Sequence, residues 1–253
     1  MIVNMHKDAQ TKIGHLDITL TSLQDEIRMM RLVPANNVLA GLARTARDIG
    51  RELGKKVNFN LVGADTEMDQ PILEKIRDPL IHLVRNAIDH GIETPDVRVK
   101  NGKPETGNIT LSIVTEGTDI VLEIKDDGGG IDTNKVAATA IKKNLVPAED
   151  IETLDKSELM NLIFRPGFST KEIITEVSGR GVGMDVVHSN LQTIKGSVRV
   201  ESTLGEGSSF VLRVPLTLST ERGLIVRAGG QMFAIPITAV ERVINLETDD
   251  VIN

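Results

Sequence analysis

The chain has 253 residues, 40% hydrophobic and 26% charged, with a net charge of −7 and no cysteine. This balance excludes wholesale disorder, the lack of thiols excludes disulfides and thiolate metal sites, and the acidic excess argues against a nucleic-acid partner, which needs a basic face. With no Trp or Tyr and only five Phe, stacking platforms are nearly lacking, so a nucleotide would be held by backbone amides, carboxylates and aliphatic walls.

The first pattern is a heptad-like seam of Ile13, Leu16, Leu20, Leu23, Ile27 and Met30, which stops at Val33-Pro34, where proline cannot continue a helix. It restarts with Leu39, Leu42, Ala46, Ile49 and Leu53 and ends at Gly54. The spacing predicts a helical hairpin over residues 1–54, which can pair with a second copy into a dimeric four-helix bundle or dock on its own domain. His15, beside Gly14 and Asp17, reads as a solvated helix-face histidine.

Val57 to Leu61 alternates like a strand, and Pro71 to Ile92 reads as a long helix, with Pro79 marking a kink or restart. Two β-hairpins follow, Ile109–Ile124 across Glu116 to Asp119 and Val198–Val214 across Leu204 to Gly207. Residues 133–178 between them have the size of a lid, and another helix runs from Val182 to Ile194. These elements predict an α+β sandwich over residues 55–218 with no βαβ repeat. From Gly223 onward, short β-like runs resemble the start of a small barrel, so residues 219–253 are expected to be a truncated β-barrel segment.

Three segments carry chemistry. His82, Asn86 and His90 recur at i, i+4 and i+8, one stripe of the long helix; alone, they read as a solvated face. Asp126 to Asp132 places Gly128, Gly129 and Gly130 directly after a strand, where backbone can approach a ligand closely or simply turn. Gly179 to Asp185 is a glycine loop opening a helix, a place where free amides can meet an anion. Each signal is weak by itself; their order on helix, strand end and helix start makes them specific.

In that order the chain resembles the superfamily of gyrase, the large ATP-dependent heat-shock chaperones, the MutL repair proteins and the histidine kinases, the GHKL or Bergerat fold. His82–Asp89 resembles its N box, Asp126–Gly130 and Gly179–Gly183 two of its glycine boxes, and Phe164–Thr170 its phenylalanine box. Gly205–Phe210 is similar to the last glycine box, with Ser208 where Thr is usual. The stretches HLVRNAIDHGIE, PGFSTKE and SGRGVGMDVV are very like those of the chemotaxis histidine kinases, the CheA family, and the resemblance covers nearly the whole chain. It implies that the hairpin is a dimerisation domain and that the last segment begins a CheW-like coupling domain.

The same resemblance assigns roles. Asn86 is expected to hold the Mg²⁺ that bridges the phosphates of ATP, its neutral amide oxygen suiting a hard cation. Asp126 is expected to accept from the adenine amine, with Ser208 sharing a water. Arg85, His90 and Lys135 are placed near the phosphates, with Gly128 and Gly130 in the first glycine box. Ser169 and Thr170 belong to the lid, and Gly179, Arg180, Gly181, Val182, Gly183 and Met184 form the amide-donating loop. His82 stands where the superfamily's ATPases usually carry the glutamate that activates water. A neutral imidazole acceptor, with pKa near ~6.5, needs less help, so His82 fits transfer to histidine, as an acid/base or an orienting group for Asn86.

The expectation is a homodimeric core carrying the γ-phosphate of Mg-ATP to a histidine on a separate phosphotransfer domain. Its further partners are a CheW-like adaptor, chemoreceptor tips and a response regulator. With no apolar run near the ~20 residues of a membrane span and no signal peptide, a cytoplasmic location is expected, peripheral to receptor arrays through its partners. A superfamily ATPase clamp and a non-catalytic ATP-binding scaffold are the competing readings.

Overall fold

The computed structural model describes residues 30–151, 153–168, 183–217 and 223–244, with positions 19, 20, 22, 23, 26 and 27. The chain divides into two compact units, Met1–Thr217 and Leu218–Asn253.

The first unit is built on a five-stranded sheet of β2 (Val57–Val62), β4 (Gly107–Glu116), β5 (Asp119–Asp126), β6 (Ser197–Thr203) and β7 (Gly207–Pro215), in the order β2-β4-β5-β7-β6. Both expected hairpins form and share the β5–β7 edge, with Asp126 opposite Ser208. Alternation along them sends Ile109, Leu111, Ile113, Ile120, Leu122, Ile124, Phe210, Leu212 and Val214 into the core. Fully burying one such side chain is worth about 1.5–3 kcal/mol.

Against this sheet lies α3 (Gln70–Asn86), with Ile72, Leu73, Ile76, Leu80, Leu83 and Val84 buried at helical spacing. No break occurs at Pro79; proline removes one i→i−4 bond, and the buried Ile76, Leu80 and Leu83 around it hold the helix together. The irregularity comes later, where Ala87–Gly91 widens into a single π-helical turn. Then α4 (Pro95–Lys100) leads into β4. The segment 63–106 therefore joins β2 to β4, which are parallel with Phe59 opposite Ile109. Sequence periodicity shows no βαβ repeat, yet this one crossover is present: β2 alternates half-buried with exposed and lacks the apolar run of a buried parallel strand.

The expected hairpin is corrected over its second arm. Leu32–Pro34, where its turn was placed, forms β1, antiparallel to β3 (Glu67–Asp69). Beyond it, α1 (Asn36–Leu39) and α2 (Leu42–Glu52) bury Leu39, Leu42, Ala46 and Ile49, packing against α3 and β2 of the same chain. An amphipathic stripe has one period whether it faces a second copy or its own sheet. In the first arm, Leu20, Leu23, Ile27 and Met30 are exposed.

Between β5 and β6 the chain forms α5 (Thr133–Lys142), α6 (Ala148–Ile151), α7 (Lys156–Asn161), a 3₁₀ turn (Leu162–Phe164) and α8 (Met184–Thr193). The second unit contains an antiparallel pair, β8 (Gly223–Ala228) with β9 (Gln231–Pro236).

Candidate functional site

The end of α3, the end of β5 and the start of α8 line one cleft of about 450 Å³. Of the sequence-predicted residues it gathers His82, Asn86, His90, Asp126, Gly130, Lys135, Met184 and Ser208. Arg85, Gly128 and Gly183 do not line it, although Arg85 acts electrostatically on His82. Ser169, Thr170, Gly179, Arg180, Gly181 and Val182 lie outside the described residues.

Asp126 sits at the sheet end, 3% exposed. Burial pushes its carboxyl up to about 6, against the pull of the Gly128 and Ser208 backbone N–H groups, while Asp127 and Glu93 push it further up. The Gly128 N–H donates to Oδ1 at 2.9 Å. Two glycines make the approach possible: a Cβ on Gly91 would lie 3.1 Å from Oδ1, and one on Gly128 would meet the Gly91 carbonyl oxygen at 2.2 Å. The Gly129 N–H donates to that same carbonyl at 2.8 Å, tying the glycine turn to the π-turn.

On α3, the Asn86 Nδ2 donates to the Met184 sulfur at 3.0 Å. Its amide oxygen is thereby left to the acceptor side, the donor set a hard cation needs, so the residue fits Mg²⁺. His82 is half-buried one turn earlier. Burial lowers its pKa, as do Arg85 and His90, while Asp185 opposes them, so the imidazole is neutral at neutral pH. His90 is exposed, with Nε2 3.4 Å from the Asp89 carboxylate.

Ser208 does more than line the cleft. Its hydroxyl is 3.2 Å from that of Ser202, which donates to the Gly207 carbonyl at 2.7 Å and accepts from the Ile131 N–H at 2.8 Å. Ser202 thus fastens the first glycine box to the β6–β7 turn. Ile131, Val136, Ile163, Phe168 and Phe210 supply apolar wall, and Phe164 packs edge-on against Phe210. Phe164 and Phe168 lie in the phenylalanine box, and Phe210 lies on β7.

Sequence reasoning missed the scaffold behind the cleft. Lys55 donates to the carbonyls of Ile88 and Asp89 at 2.7 and 2.8 Å, bracing the π-turn. Arg98, 0% exposed, donates to Pro104 O at 2.7 Å and to Asp127 O at 3.2 Å, and pairs with the Glu93 and Asp127 carboxylates, each at 3.1 Å. Lys103 donates to Glu93 Oε1 at 3.1 Å, Asp127 O at 3.0 Å and Gly128 O at 2.7 Å. Glu93 is pushed up by burial but held below its usual range by its own N–H and by Lys103 and Arg98. The sequence places Glu93, Arg98 and Lys103 in a connection rich in surface-type side chains, and no periodic signal marks them.

A helix stripe of polar groups, a buried carboxylate at a strand end and a glycine turn between them define a nucleotide-type cleft, and residues 75–218 match the family of histidine kinase-, DNA gyrase B- and HSP90-like ATPases. That match covers more than half of the chain, which belongs to this family. Along most of its length the chain is similar to the chemotaxis protein CheA of Halobacterium salinarum, at 40% identity over 242 residues, 96% of this chain and 36% of that one. It is equally similar to CheA of Bacillus subtilis, at 40% over 247 residues, 98% of this chain and 37% of that one. The sensor histidine kinase CheAY of Helicobacter pylori is 40% identical over 94% of this chain and 30% of its own length. The chain thus spans about a third of the length of these relatives. It is similar in structure to the catalytic domain of histidine kinase ThkA, at 18% identity over 74% of this chain and 95% of that one, with a TM-score of 0.47.

Proposed function

We propose that the chain is the ATP-binding core of a chemotaxis-type histidine kinase, transferring the γ-phosphate of Mg-ATP to a histidine on a separate phosphotransfer domain. One observation carries the reading. A buried carboxylate, Asp126, shares a cleft with an amide-bearing helix stripe in which histidine, not glutamate, stands four residues before Asn86.

In this reading Asp126 accepts from the exocyclic amine of adenine and repels the carbonyl oxygen of guanine. The apolar wall takes the base faces. Asn86 holds Mg²⁺, which when bound neutralises phosphate charge and fixes the phosphates in place. Lys135, His90 and Arg85 add positive or donor groups on the phosphate side, with Gly128, Gly130, Gly183 and Met184 as the backbone around them. The residues outside the described set, Ser169, Thr170 and Gly179 to Val182, are assigned to the lid and its glycine loop by the same resemblance. Neutral His82 is a weak base toward water, which suits an acceptor that is itself imidazole.

The exposed first stripe and the resemblance to the CheA family support pairing with a second copy. Leu20, Leu23, Ile27 and Met30 present apolar surface to solvent, and pairing with a second copy would cover it. A CheW-like adaptor, chemoreceptor tips and a response regulator are the proposed partners, in the cytoplasm. No helix among the described residues is long and apolar enough to cross a membrane.

The direct test supplies a separate histidine-phosphotransfer domain and γ-labelled ATP with Mg²⁺. Acid-labile label on the acceptor, with little phosphate released, is expected. Sustained phosphate release without labelled acceptor overturns the kinase reading in favour of an ATPase clamp.

A further inference from the structure

Behind the glycine turn lies a charge cluster whose members do not line the cleft. Arg98 and Lys103 face Glu93 and Asp127, two cations against two carboxylates, with side-chain exposures of 1%, 19%, 14% and 37% respectively. Such a group is expensive to desolvate and is stable only when fully paired. Its pairing is unusually complete at Lys103. An ammonium has three donors, and here each finds an acceptor: Glu93 Oε1 at 3.1 Å, Asp127 O at 3.0 Å and Gly128 O at 2.7 Å. Asp127 is fixed from its other side as well, its carboxylate accepting from the Asn108 backbone and side-chain nitrogens, both at 2.9 Å.

The two carbonyls that Lys103 grips flank the Gly128 nitrogen, whose N–H orients the Asp126 carboxylate. We infer that Lys103 is a positioning residue for base recognition: by holding the Asp127 and Gly128 carbonyls it sets the peptide that aims Asp126 at the purine. This rests on the assignment of Asp126 as the adenine reader. Of the quartet, it is Glu93 and Asp127 that act on the Asp126 carboxyl, both pushing it up, so Lys103 acts on it through the carbonyls it holds and not through its charge. Arg98, wholly buried and tied to Pro104 and Thr106, anchors the connection itself. Lys103 reaches in from the edge and is the more exposed of the two cations.

The test compares two ligands, ATP and purine riboside 5′-triphosphate, which lacks the 6-amino group, titrated by calorimetry into the unmutated chain and its variants. A hydrogen bond to a charged group is worth roughly 1.5–3 kcal/mol, so the unmutated chain should prefer ATP by about tenfold or more. Lys103→Met should narrow that preference to within about threefold, because a carboxylate displaced by a fraction of an ångström no longer distinguishes the amine. Lys103→Gln, which keeps a donor, carries the same comparison should the methionine variant melt too low to titrate. If both ligands weaken by the same factor in these variants, or neither weakens, Lys103 is structural only and the inference falls. Asp126→Ala separates the two ideas. If it leaves the unmutated preference for ATP in place, the adenine assignment itself fails and the bracket's role with it. If it abolishes the preference while the Lys103 variants keep it, the assignment stands and the bracket does not.

Discussion

Asp126 and His82 are shifted in opposite senses by the same cause, loss of water, and this fixes how each should respond to pH. The Asp126 carboxyl, raised from 3.8 to about 6, is disfavoured as an anion in the folded chain; holding it ionised at neutral pH costs stability on the order of 2–3 kcal/mol at 1.36 kcal/mol per unit. A raised acid stabilises the fold at low pH and loses that contribution as pH rises through about 6. Asp126→Asn should therefore melt higher than the unmutated chain above pH 6 and weaken ATP by about tenfold or more, since its amide turns a donor toward a site needing acceptors. ATP affinity of the unmutated chain should fall as pH drops through about 6, and the asparagine variant should lack that step; equal affinity and an identical pH profile in the variant would remove Asp126 from the site. His82 is shifted down, so stability is undiminished above the ordinary histidine value of 6.5 and falls as pH drops below it toward the lowered value in the fold. His82→Gln should retain most of the ATP affinity while slowing transfer by about 10²-fold, the low end for a general acid–base group. His82→Glu restores the base that ATPases carry and should shift label from acceptor to free phosphate. A glutamine variant that transfers at the unmutated rate makes His82 structural. Eight of the cleft residues were legible in the sequence because side-chain chemistry, fixed spacing and glycine run together there. Lys55, Arg98, Lys103 and Ser202 were not, because they act through backbone carbonyls and amides that only the fold brings near them.

At the scale of elements, periodicity located helices and strands but not what each faces. The stripe Leu39, Leu42, Ala46 and Ile49 has the same spacing as the stripe from Leu20 to Met30, yet the first is buried on its own sheet and the second is exposed. Glutamate placed at the two should thus fail differently. Leu42→Glu puts a charge into the core and should cost several kcal/mol of stability, lowering the melting temperature with or without ATP. Leu20→Glu with Leu23→Glu should leave melting nearly unchanged and, in the proposed dimer, yield monomers that still bind ATP. Light scattering joined to thermal melting reads both; a Leu42→Glu chain that melts normally but is monomeric would return that stripe to a dimer seam. Pro79 teaches a related lesson. Local chemistry alone marks it as a kink or a restart, and the helix runs on through it because the buried neighbours above and below it outweigh one missing hydrogen bond. The π-turn at Ala87–Gly91, which opens the helix where Asn86 and His90 meet the cleft, left no mark in the residue pattern.

Among the described residues of the first unit, those near 31 and near 216 lie side by side. Arg31 pairs with Asp69 through Nη2 at 2.9 Å and Nε at 3.2 Å, its carbonyl accepts from Gln70 N, and the Asp69 N–H reaches the Leu216 carbonyl at 3.4 Å. Strand β1 is thus held beside β3, and the exit of β7 meets the same residue. A unit whose two ends adjoin is indifferent to where along its loop the thread is cut. Joining residue 217 to residue 31 through a short glycine-serine linker, and opening the chain between Glu149 and Asp150 in a helix with no buried residue, should give a permuted protein that folds. Its ATP affinity should lie within about threefold of the parent, a difference of under ~1 kcal/mol. Calorimetry and melting would decide it, and a permutant that folds but binds no ATP would show that the order of the thread, and not only the packing of its elements, shapes the cleft. A fold whose strands near residues 31 and 216 adjoin can be spliced between neighbours in evolution or at the bench, since both cut points open at one place on its surface.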